Sequence, residues 1–229
     1  MFEGWKPGET PKKNVAVVSP AVRPVVYLLD RPDAQQSVII AGHVAPPKNN
    51  PSEVSIETMN NVLGGNFGAR ININLREDKH WSYGALSLLL DARGQRPFIV
   101  YAPVETDKTK ESLVELKKEL TGILTDRPAT EAELSRVKAL ETLRMPGSRE
   151  TIDNVLDSVQ DILQFNLPDD YYETYSGKVR ALSLADIAKS AGEVVQPGHL
   201  VWVVVGDRKK IEAGVRELGL GEVRILDPQ

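Results

Sequence analysis

Residues 63–85 read LGGNFGARININLREDKHWSYGA and connect a helix-like pattern to a strand-like pattern. The glycine pair Gly64-Gly65 predicts the end of the first helix, and a second short helix is expected over about 66–78. From Tyr83 onward the sequence SYGALSLLLDA predicts a strand. The segment therefore has the order helix, helix, strand, which departs from the strict strand–helix alternation of a parallel sheet.

Amino-terminal to this segment, two apolar, β-branched runs predict a pair of strands. They are PVVYLLD at 24–30 and SVIIAGHVA at 37–45. The stretch 52–63 has helical spacing, and Ser52 is its predicted N-cap. An exposed strand such as SVIIAGH, or the one led by Tyr83, would accept an extended peptide by strand addition.

Carboxyl-terminal to the segment, the patterns predict a further strand, several helices and a closing strand–helix–strand unit. The longest helix, over 107–124, has one apolar face, formed by Leu113, Leu116, Leu120 and Ile123. Two capping-box patterns predict further helix starts, at Thr130-x-x-Glu133 and Ser183-x-x-Asp186. The element order predicts an α+β fold, with a mainly antiparallel mixed sheet of about six strands and helices packed on one face.

The first residues have the composition of a connector. Residues 6–14, KPGETPKKN, contain prolines, a glycine and lysines without periodicity, and no apolar signal-peptide segment precedes them. We therefore expect the chain to be a piece of something longer. We expect residues 1–22 to be a connector and lead-in and residues 23–229 to form a single α+β domain.

Composition and charge exclude several classes of function. The net charge of −4, from 28 basic and 32 acidic residues, gives no electrostatic case for binding nucleic acid or an anionic membrane. The chain has no cysteine, so disulfides and thiolate metal sites are excluded. The longest apolar runs have the length of a strand, so we expect no membrane insertion.

The residues that commonly carry chemistry are sparse. The chain has three histidines but no HxxEH or HxxxH pattern, so no metal site and no catalytic residue are expected in it. We interpret His43 and His199 as satisfied or edge-exposed histidines. The glycine-rich 64–68 follows a helix and is interpreted as a helix stop. Helical spacing predicts a partly buried face for three tyrosines, Tyr171, Tyr172 and Tyr175.

Arg76 and Tyr83 are the candidate binding residues. They are seven residues apart, and both can project into the same space. A guanidinium and a phenol can together hold a peptide carbonyl without proton transfer. The structural alternative is an arginine paired with Glu77 or Asp78 and a tyrosine that plugs a helix–strand corner. Spacing alone leaves both interpretations open.

The stretch 63–85 resembles the signature of the carboxyl-side, zinc-free domain of the insulinase/pitrilysin family of zinc metallopeptidases, especially its bacterial members. The resemblance extends over nearly the whole chain, from Trp5-Lys6 through LPDDYYETY to the closing VWVVVGDRKKIEAGVRELGLGEVRILD. It implies the metallohydrolase fold of the mitochondrial processing peptidase. In such proteins a domain with HxxEH binds zinc and activates water, and its sister domain supplies an arginine and a tyrosine to the substrate.

By this resemblance Arg76 and Tyr83 bind substrate, and zinc is expected only in a partner domain or subunit that carries HxxEH. The other expected partner is an unstructured peptide. The sequence does not decide whether the chain also forms a homodimer. Likeness to bacterial relatives suggests a periplasmic location, with the cytoplasm as the alternative. The sequence departs from the family at His80-Trp81-Ser82, where similar proteins often have a glycine and smaller residues. A non-catalytic binding or scaffold subunit of the same fold is the alternative function.

Overall fold

The computed structural model describes residues 4, 6, 8–9, 16–145 and 147–227, so Trp5 and much of the expected connector lie outside the described residues. The six strands of the described chain are β1 (Val25–Asp30), β2 (Gln36–Ala45), β3 (Leu86–Leu89), β4 (Arg96–Glu105), β5 (Val201–Gly206) and β6 (Glu222–Leu226). The α-helices are α1 (Glu53–Leu63), α2 (Arg70–Asn72), α3 (Thr109–Gly122), α4 (Glu131–Arg144), α5 (Ile152–Phe165), α6 (Tyr171–Ala181), α7 (Leu184–Val194) and α8 (Arg208–Glu217). A π-helix (Ile73–Asp78) continues α2, and three-residue 3₁₀ turns occupy Thr106–Lys108, Gly147–Arg149 and Pro197–His199.

The strands form one mixed sheet in the order β3-β4-β2-β5-β1-β6. The pairs β3–β4, β4–β2 and β2–β5 are antiparallel, whereas β1 is parallel to both β5 and β6. The predicted α+β class with a mainly antiparallel mixed sheet is therefore confirmed.

Helices cover one face of the sheet, as the alternation along β4 shows. Phe98, Val100 and Ala102 are fully buried, while Tyr101 on the other face is 37% exposed. Successive side chains of a strand point to opposite faces, so the covered face carries the core. The predicted apolar face of α3 lies in that core, with Leu113, Leu116, Leu120 and Ile123 all buried. No helix among the described residues is long and apolar enough to cross a bilayer.

The predicted helix starts agree with the structure at both capping boxes. Thr130 and Glu133 exchange side-chain-to-backbone hydrogen bonds at the start of α4, and Ser183 and Asp186 do so at α7. Ser52 precedes α1 as predicted, but its side chain makes no capping hydrogen bond. Its backbone N–H instead donates to the Asn50 side chain at 2.8 Å, so Asn50 organises the turn before α1.

The expected second helix and third strand both begin later than predicted. The helix begins at Arg70, because the Asn66 side chain accepts the Gly68 N–H at 3.0 Å and so holds a turn at the predicted start. The strand begins at Leu86, because the Ser82 hydroxyl donates to the Pro103 carbonyl at 2.6 Å and keeps this stretch out of the ladder.

Neither strand expected to accept a peptide presents a free edge. β2 pairs with strands on both sides, so it is interior to the sheet. On β3, the outward Ser87 N–H donates to the Gly64 carbonyl at 3.0 Å, and the Ser87 carbonyl accepts from the Asn60 side chain at 3.2 Å. The Ala85 N–H donates to Asn72 at 3.1 Å. The expectation of strand addition is therefore wrong for β2, and β3 has no continuous free edge because its backbone groups at Ser87 are already bonded.

Gly64 permits the closure of the β3 edge, and its substitution is our first test. A Cβ at Gly64 would lie 2.5 Å from the Ser87 backbone nitrogen. We expect Gly64→Ala to lower the free energy of unfolding by about 1–3 kcal/mol, measured by urea denaturation. The matched control is Gly192→Ala in α7, where a Cβ meets open space and a gain of about 0.5–1 kcal/mol is expected. Equal effects of the two substitutions would contradict this account.

Candidate functional site

The loop between the π-helix and β3 brings Arg76 and Tyr83 to one cleft. The cleft has a volume of about 360 Å³ and lies at the end of the sheet where β2 begins and β4 ends. Its other lining residues are Gln36, Glu77, His80, Trp81, Ser82 and Glu105.

Arg76 is held by an aromatic ring and by a weak ion pair. Its guanidinium carbon lies 4.1 Å from the centroid of the Phe67 ring, and its Nε lies 3.5 Å from Glu77 Oε1. A cation over an aromatic face is stabilised by about 0.5–1 kcal/mol at exposed sites. The ion pair with Glu77 is the one that the structural alternative predicts. The side chain remains 33% exposed, so its donors can reach a ligand.

Tyr83 projects into solvent with 87% of its surface exposed. The expectation that it plugs a corner is therefore wrong. The backbone on either side of it is nonetheless fixed: the Gly84 N–H donates to the Ser82 hydroxyl at 3.1 Å, and the Glu105 N–H donates to the Trp81 carbonyl at 3.0 Å. The ring is presented from an anchored loop.

His80 occupies the position at which the sequence departs from the family pattern. Its φ of 58° lies in the left-handed region, which glycine adopts without steric cost. The ring Nδ1 lies 3.0 Å from the Arg76 carbonyl, and the Trp81 N–H donates to the Leu75 carbonyl at 2.9 Å. These contacts tie the loop back to the π-helix.

The π-helix that carries Arg76 is anchored to α3. The Asn74 amide donates to Glu115 at 2.8 Å and to Glu119 at 2.7 Å. π-helical turns are rare and are frequent at functional sites. The geometry at Arg76 thus depends on a local irregularity that the sequence pattern did not indicate.

A second anchor lies one turn earlier, at Arg70. Its Nε and Nη2 donate to the two carboxylate oxygens of Glu133 at 2.6 Å each, a bidentate arrangement. Burial of Glu133 opposes ionisation, but hydrogen bonds from Arg70 and Thr130 outweigh it and hold the pKa of this carboxyl at about 2. The pair joins α2 to α4.

A buried ionic cluster, absent from the sequence analysis, lies at the opposite end of β2 and β4. Arg96 is fully buried, and its Nη1 donates to Glu53 at 2.9 Å. The Lys48 ammonium lies 3.3 Å from Glu53 and 3.1 Å from Asp91, and it also contacts Glu57. The spacing of Glu53 and Glu57, one helical turn apart on α1, is the one sequence signal that could have indicated it.

The interpretations of His43, His199, the glycine-rich stretch and the tyrosine face are confirmed. His43 accepts the Gln196 N–H at 3.3 Å through Nε2, and burial lowers the pKa of this imidazole. His199 Nδ1 lies 2.7 Å from the Ala21 carbonyl. Gly64 follows the last residue of α1, and the predicted tyrosine face is partly buried, with Tyr171 at 6% exposure. Among the described residues, no three His, Asp or Glu side chains converge so that they could hold a metal ion.

The anchor at Glu133 predicts a pH dependence of stability. A carboxyl whose pKa falls on folding stabilises the native state above its unfolded pKa of about 4.3 and loses that contribution as the pH falls toward its folded pKa. We expect Glu133→Gln to lower the free energy of unfolding most at neutral pH, with the difference from the unsubstituted chain shrinking between about pH 4.3 and pH 2. Urea titrations across this range measure it, and a difference independent of pH would contradict it. Glu173→Gln, on the exposed side of α6, is the control.

Comparison with known proteins shows which family and which solved structures this chain is similar to. A family model described as the peptidase M16 inactive domain matches residues 1–141. No curated protein matches the chain. Among solved structures, the chain is similar to the peptidase M16 inactive domain from Pseudomonas fluorescens, with a TM-score of 0.74 and 18% identity over 80% of this chain and 44% of that one.

Two further solved structures are similar. A protease from Helicobacter pylori gives a TM-score of 0.71 and 16% identity over 89% of this chain and 50% of that one. The periplasmic protease PqqL from Escherichia coli gives a TM-score of 0.68 and 11% identity over 86% of this chain and 22% of that one. The chain therefore spans half or less of the length of these three relatives. At these sequence identities the solved structures show the fold alone. The family model, in contrast, matches more than half of the sequence. The chain therefore belongs to the family of peptidase M16 inactive domains.

Proposed function

We propose that this chain is the substrate-binding, zinc-free half of an M16-type metallopeptidase and that it pairs with a homologous half carrying HxxEH. The observation that carries the proposal is the meeting of Arg76 and Tyr83 in one open cleft. These two side chains come from the stretch that resembles the family signature, in a sequence without HxxEH. In this proposal residues 23–229 act as one domain.

The chemistry available at the cleft is hydrogen-bond donation. The Arg76 guanidinium and the Tyr83 hydroxyl can donate to a carbonyl oxygen of an extended peptide and hold it in one orientation. They can also stabilise negative charge that develops on that oxygen. Zinc would activate water when bound in the partner half, and no residue of this chain is assigned to that step.

The proposed substrate is an unstructured peptide, recognised through its backbone. Arg76 and Tyr83 contact groups that every peptide bond offers, so they select an accessible backbone over a particular sequence. The anchored loop reduces the conformational entropy that binding would otherwise cost. Since the β3 edge is closed, the peptide is held by side chains at the cleft and does not extend the sheet there.

The described chain also presents an apolar surface that suits a partner. Helix α5 exposes five apolar side chains at i, i+3, i+4, i+7 and i+11, which places them along one face. They are Ile152, Val155, Leu156, Val159 and Leu163, with exposures between 47% and 87%. A contiguous apolar face exposed on a soluble domain is typical of an interaction surface. We assign it to the partner half and place the assembly in the periplasm, where the similar protein PqqL is found.

The decisive experiment measures hydrolysis of an unstructured, fluorescence-quenched peptide by this chain alone and by its mixture with the HxxEH-bearing half. Bound zinc is determined on the same samples. We expect neither zinc nor cleavage from the chain alone, and cleavage on mixing. If the mixture forms a zinc-loaded complex that leaves the peptide intact, the chain is a binding or scaffold subunit and the proposal fails.

Substitutions at the cleft test its two proposed residues. We expect Arg76→Ala to slow cleavage by the assembled enzyme roughly a hundredfold, because the peptide would lose its orienting contact. Tyr83→Phe should slow it about tenfold, the order expected for one hydrogen bond. Zinc content should stay unchanged and thermal stability should change little, since Tyr83 is exposed and Arg76 loses only a contact with the Phe67 ring worth about 0.5–1 kcal/mol.

Matched controls are Arg216→Ala, in an exposed pair on α8, and Tyr101→Phe, on the open face of the sheet. Both should retain the rates of the unsubstituted enzyme. Unchanged rates in the Arg76 and Tyr83 variants as well would show that the cleft does not bind substrate.

The apolar face of α5 gives a separate prediction about pairing. We expect Leu156→Lys to weaken association with the HxxEH-bearing half at least about tenfold, because it places a charge in the buried interface. Sedimentation analysis of the mixture measures this, with Gln164→Lys, farther round the same helix, as control. An unchanged affinity would remove α5 from the interface. A dimer of the chain alone that Leu156→Lys dissociates would assign this face to a second copy.

A further inference from the structure

A second cavity lies far from the Arg76 cleft. It has a volume of about 470 Å³ and is bounded by α1, α4, α6 and the β3–β4 turn. Lys48 and Arg96 line it, whereas Gln36 and Glu105 line the cleft. Because these pairs of residues flank opposite ends of the ten-residue β2–β4 ladder, the two sites are roughly 30 Å apart.

The buried charges around this cavity do not balance. Three carboxylates lie inside here: the side chains of Glu53 and Glu57 are 3% and 25% exposed, and the residue Glu141 is 9% exposed, whereas Asp91 lies at the solvent-exposed rim. Two cations accompany them: Lys48, with a side chain 8% exposed, and Arg96, with a side chain 0% exposed. Arg144 at the rim is open to solvent. The surplus of buried negative charge favours an additional cation.

Two residues that line the cavity have a buried polar atom without a hydrogen-bond partner in the described chain, Arg96 at Nε and Tyr171 at its hydroxyl. Tyr171 lines the cavity and is 6% exposed, and its buried hydroxyl makes no hydrogen bond within the described chain. An unsatisfied buried hydroxyl costs about 1–3 kcal/mol, so a ligand that bonds it has a site already desolvated. The neighbouring Tyr175 hydroxyl, in contrast, donates to Glu141 at 3.1 Å.

The wall around this hydroxyl is aromatic. The Tyr172 ring stands edge-on to Tyr171 with centroids 5.2 Å apart, and the Tyr175 ring lies 6.0 Å away. Aromatic faces attract cations, and desolvated sites strengthen the attraction. The cavity thus combines aromatic rings, surplus carboxylates and a free hydroxyl.

We propose that this cavity binds a small organic cation that carries N–H donors, an ammonium or a guanidinium. Its N–H groups would donate to the Tyr171 hydroxyl and to the carboxylates of Glu57 and Glu141, and its alkyl part would lie against the tyrosine rings. The volume is within the range of small-molecule sites. The same chemistry occurs in a free amine and in a lysine or arginine side chain of a peptide.

Two observations support this choice of ligand. Burial raises the pKa of Glu141 against hydrogen bonds from Asn61, Thr58 and Tyr175, and the nearby charge of Glu57 adds to the rise, so a cation beside this carboxyl would stabilise its ionised form. The carboxylates do not converge as metal ligands do, because within the described chain no group of three could hold a metal ion. An extended cation with several donors fits separated acceptors better than a point charge does.

Titration calorimetry on the full chain tests the proposal with the diamine putrescine and with agmatine, which carries a guanidinium. The neutral control is butanediol, which has the length of putrescine without its charge. We expect the two amines to bind and the diol not to bind. The proposal would be overturned if neither amine bound at a concentration of about 1 mM, since a specific ligand is expected to have a Kd below this value.

The source of the cation is distinguished by a second pair of probes, N-acetyl-lysine amide and N-acetyl-norleucine amide. Binding of the lysine compound, but not the norleucine compound, assigns the site to peptide side chains. Binding of putrescine without the lysine compound assigns it to free amines. Both outcomes support the proposal, whereas equal binding of lysine and norleucine compounds would contradict it.

Two variants separate binding from folding. Glu141→Gln should weaken amine binding about tenfold, because the amine loses a charged acceptor. Tyr171→Phe should weaken it about fivefold, because the amine loses a neutral acceptor. Tyr171→Phe should leave the thermal stability of the free chain unchanged or raised, since it removes an unsatisfied hydroxyl. Glu173→Gln on the exposed side of α6 is the control. Affinities of both variants equal to that of the unsubstituted chain would overturn the site, and this result is independent of peptide cleavage.

Discussion

The ten-residue antiparallel ladder between β2 and β4 is the constraint on which the rest of the structure depends. It runs without interruption from Gln36 opposite Glu105 to Ala45 opposite Arg96. Its register fixes which side chains enter the core, because a slip of one residue would turn the side chains of the slipped strand to the opposite face of the sheet. It also sets the distance between its two ends, one at the open cleft and the other at the buried ionic cluster. The two sites are therefore held apart by a rigid element.

The fold could be predicted from the sequence to the extent that periodicity and capping determine it. Both capping boxes and the buried face of α3 agree with the structure, because they depend on residues a few positions apart. The late start of β3 could not be predicted, since it follows from the hydrogen bond of Ser82 with Pro103, a contact between distant residues. The closed β3 edge was missed for the same reason, because Gly64 and Asn60 reach it from α1.

The candidate site was predictable only in part. Spacing left the roles of Arg76 and Tyr83 open, and the resemblance to a family supplied them. The contact of Arg76 with the Phe67 ring depends on the π-helix, for which no sequence rule was available. The ionic cluster joins residues from a loop, a helix and the first position of β4. Such a set has no signature along the chain.

The closed β3 edge has a consequence for self-association. Along β3, the outward backbone groups of Ala85 and Ser87 are bonded to Asn72, Gly64 and Asn60. Within the described chain, β6 is the other edge strand of the sheet. Two molecules that pair through β6 use the same edge, and such an isologous contact closes on itself. Pairing through β6 would therefore stop at two molecules, because each pair occupies the β6 edge of both.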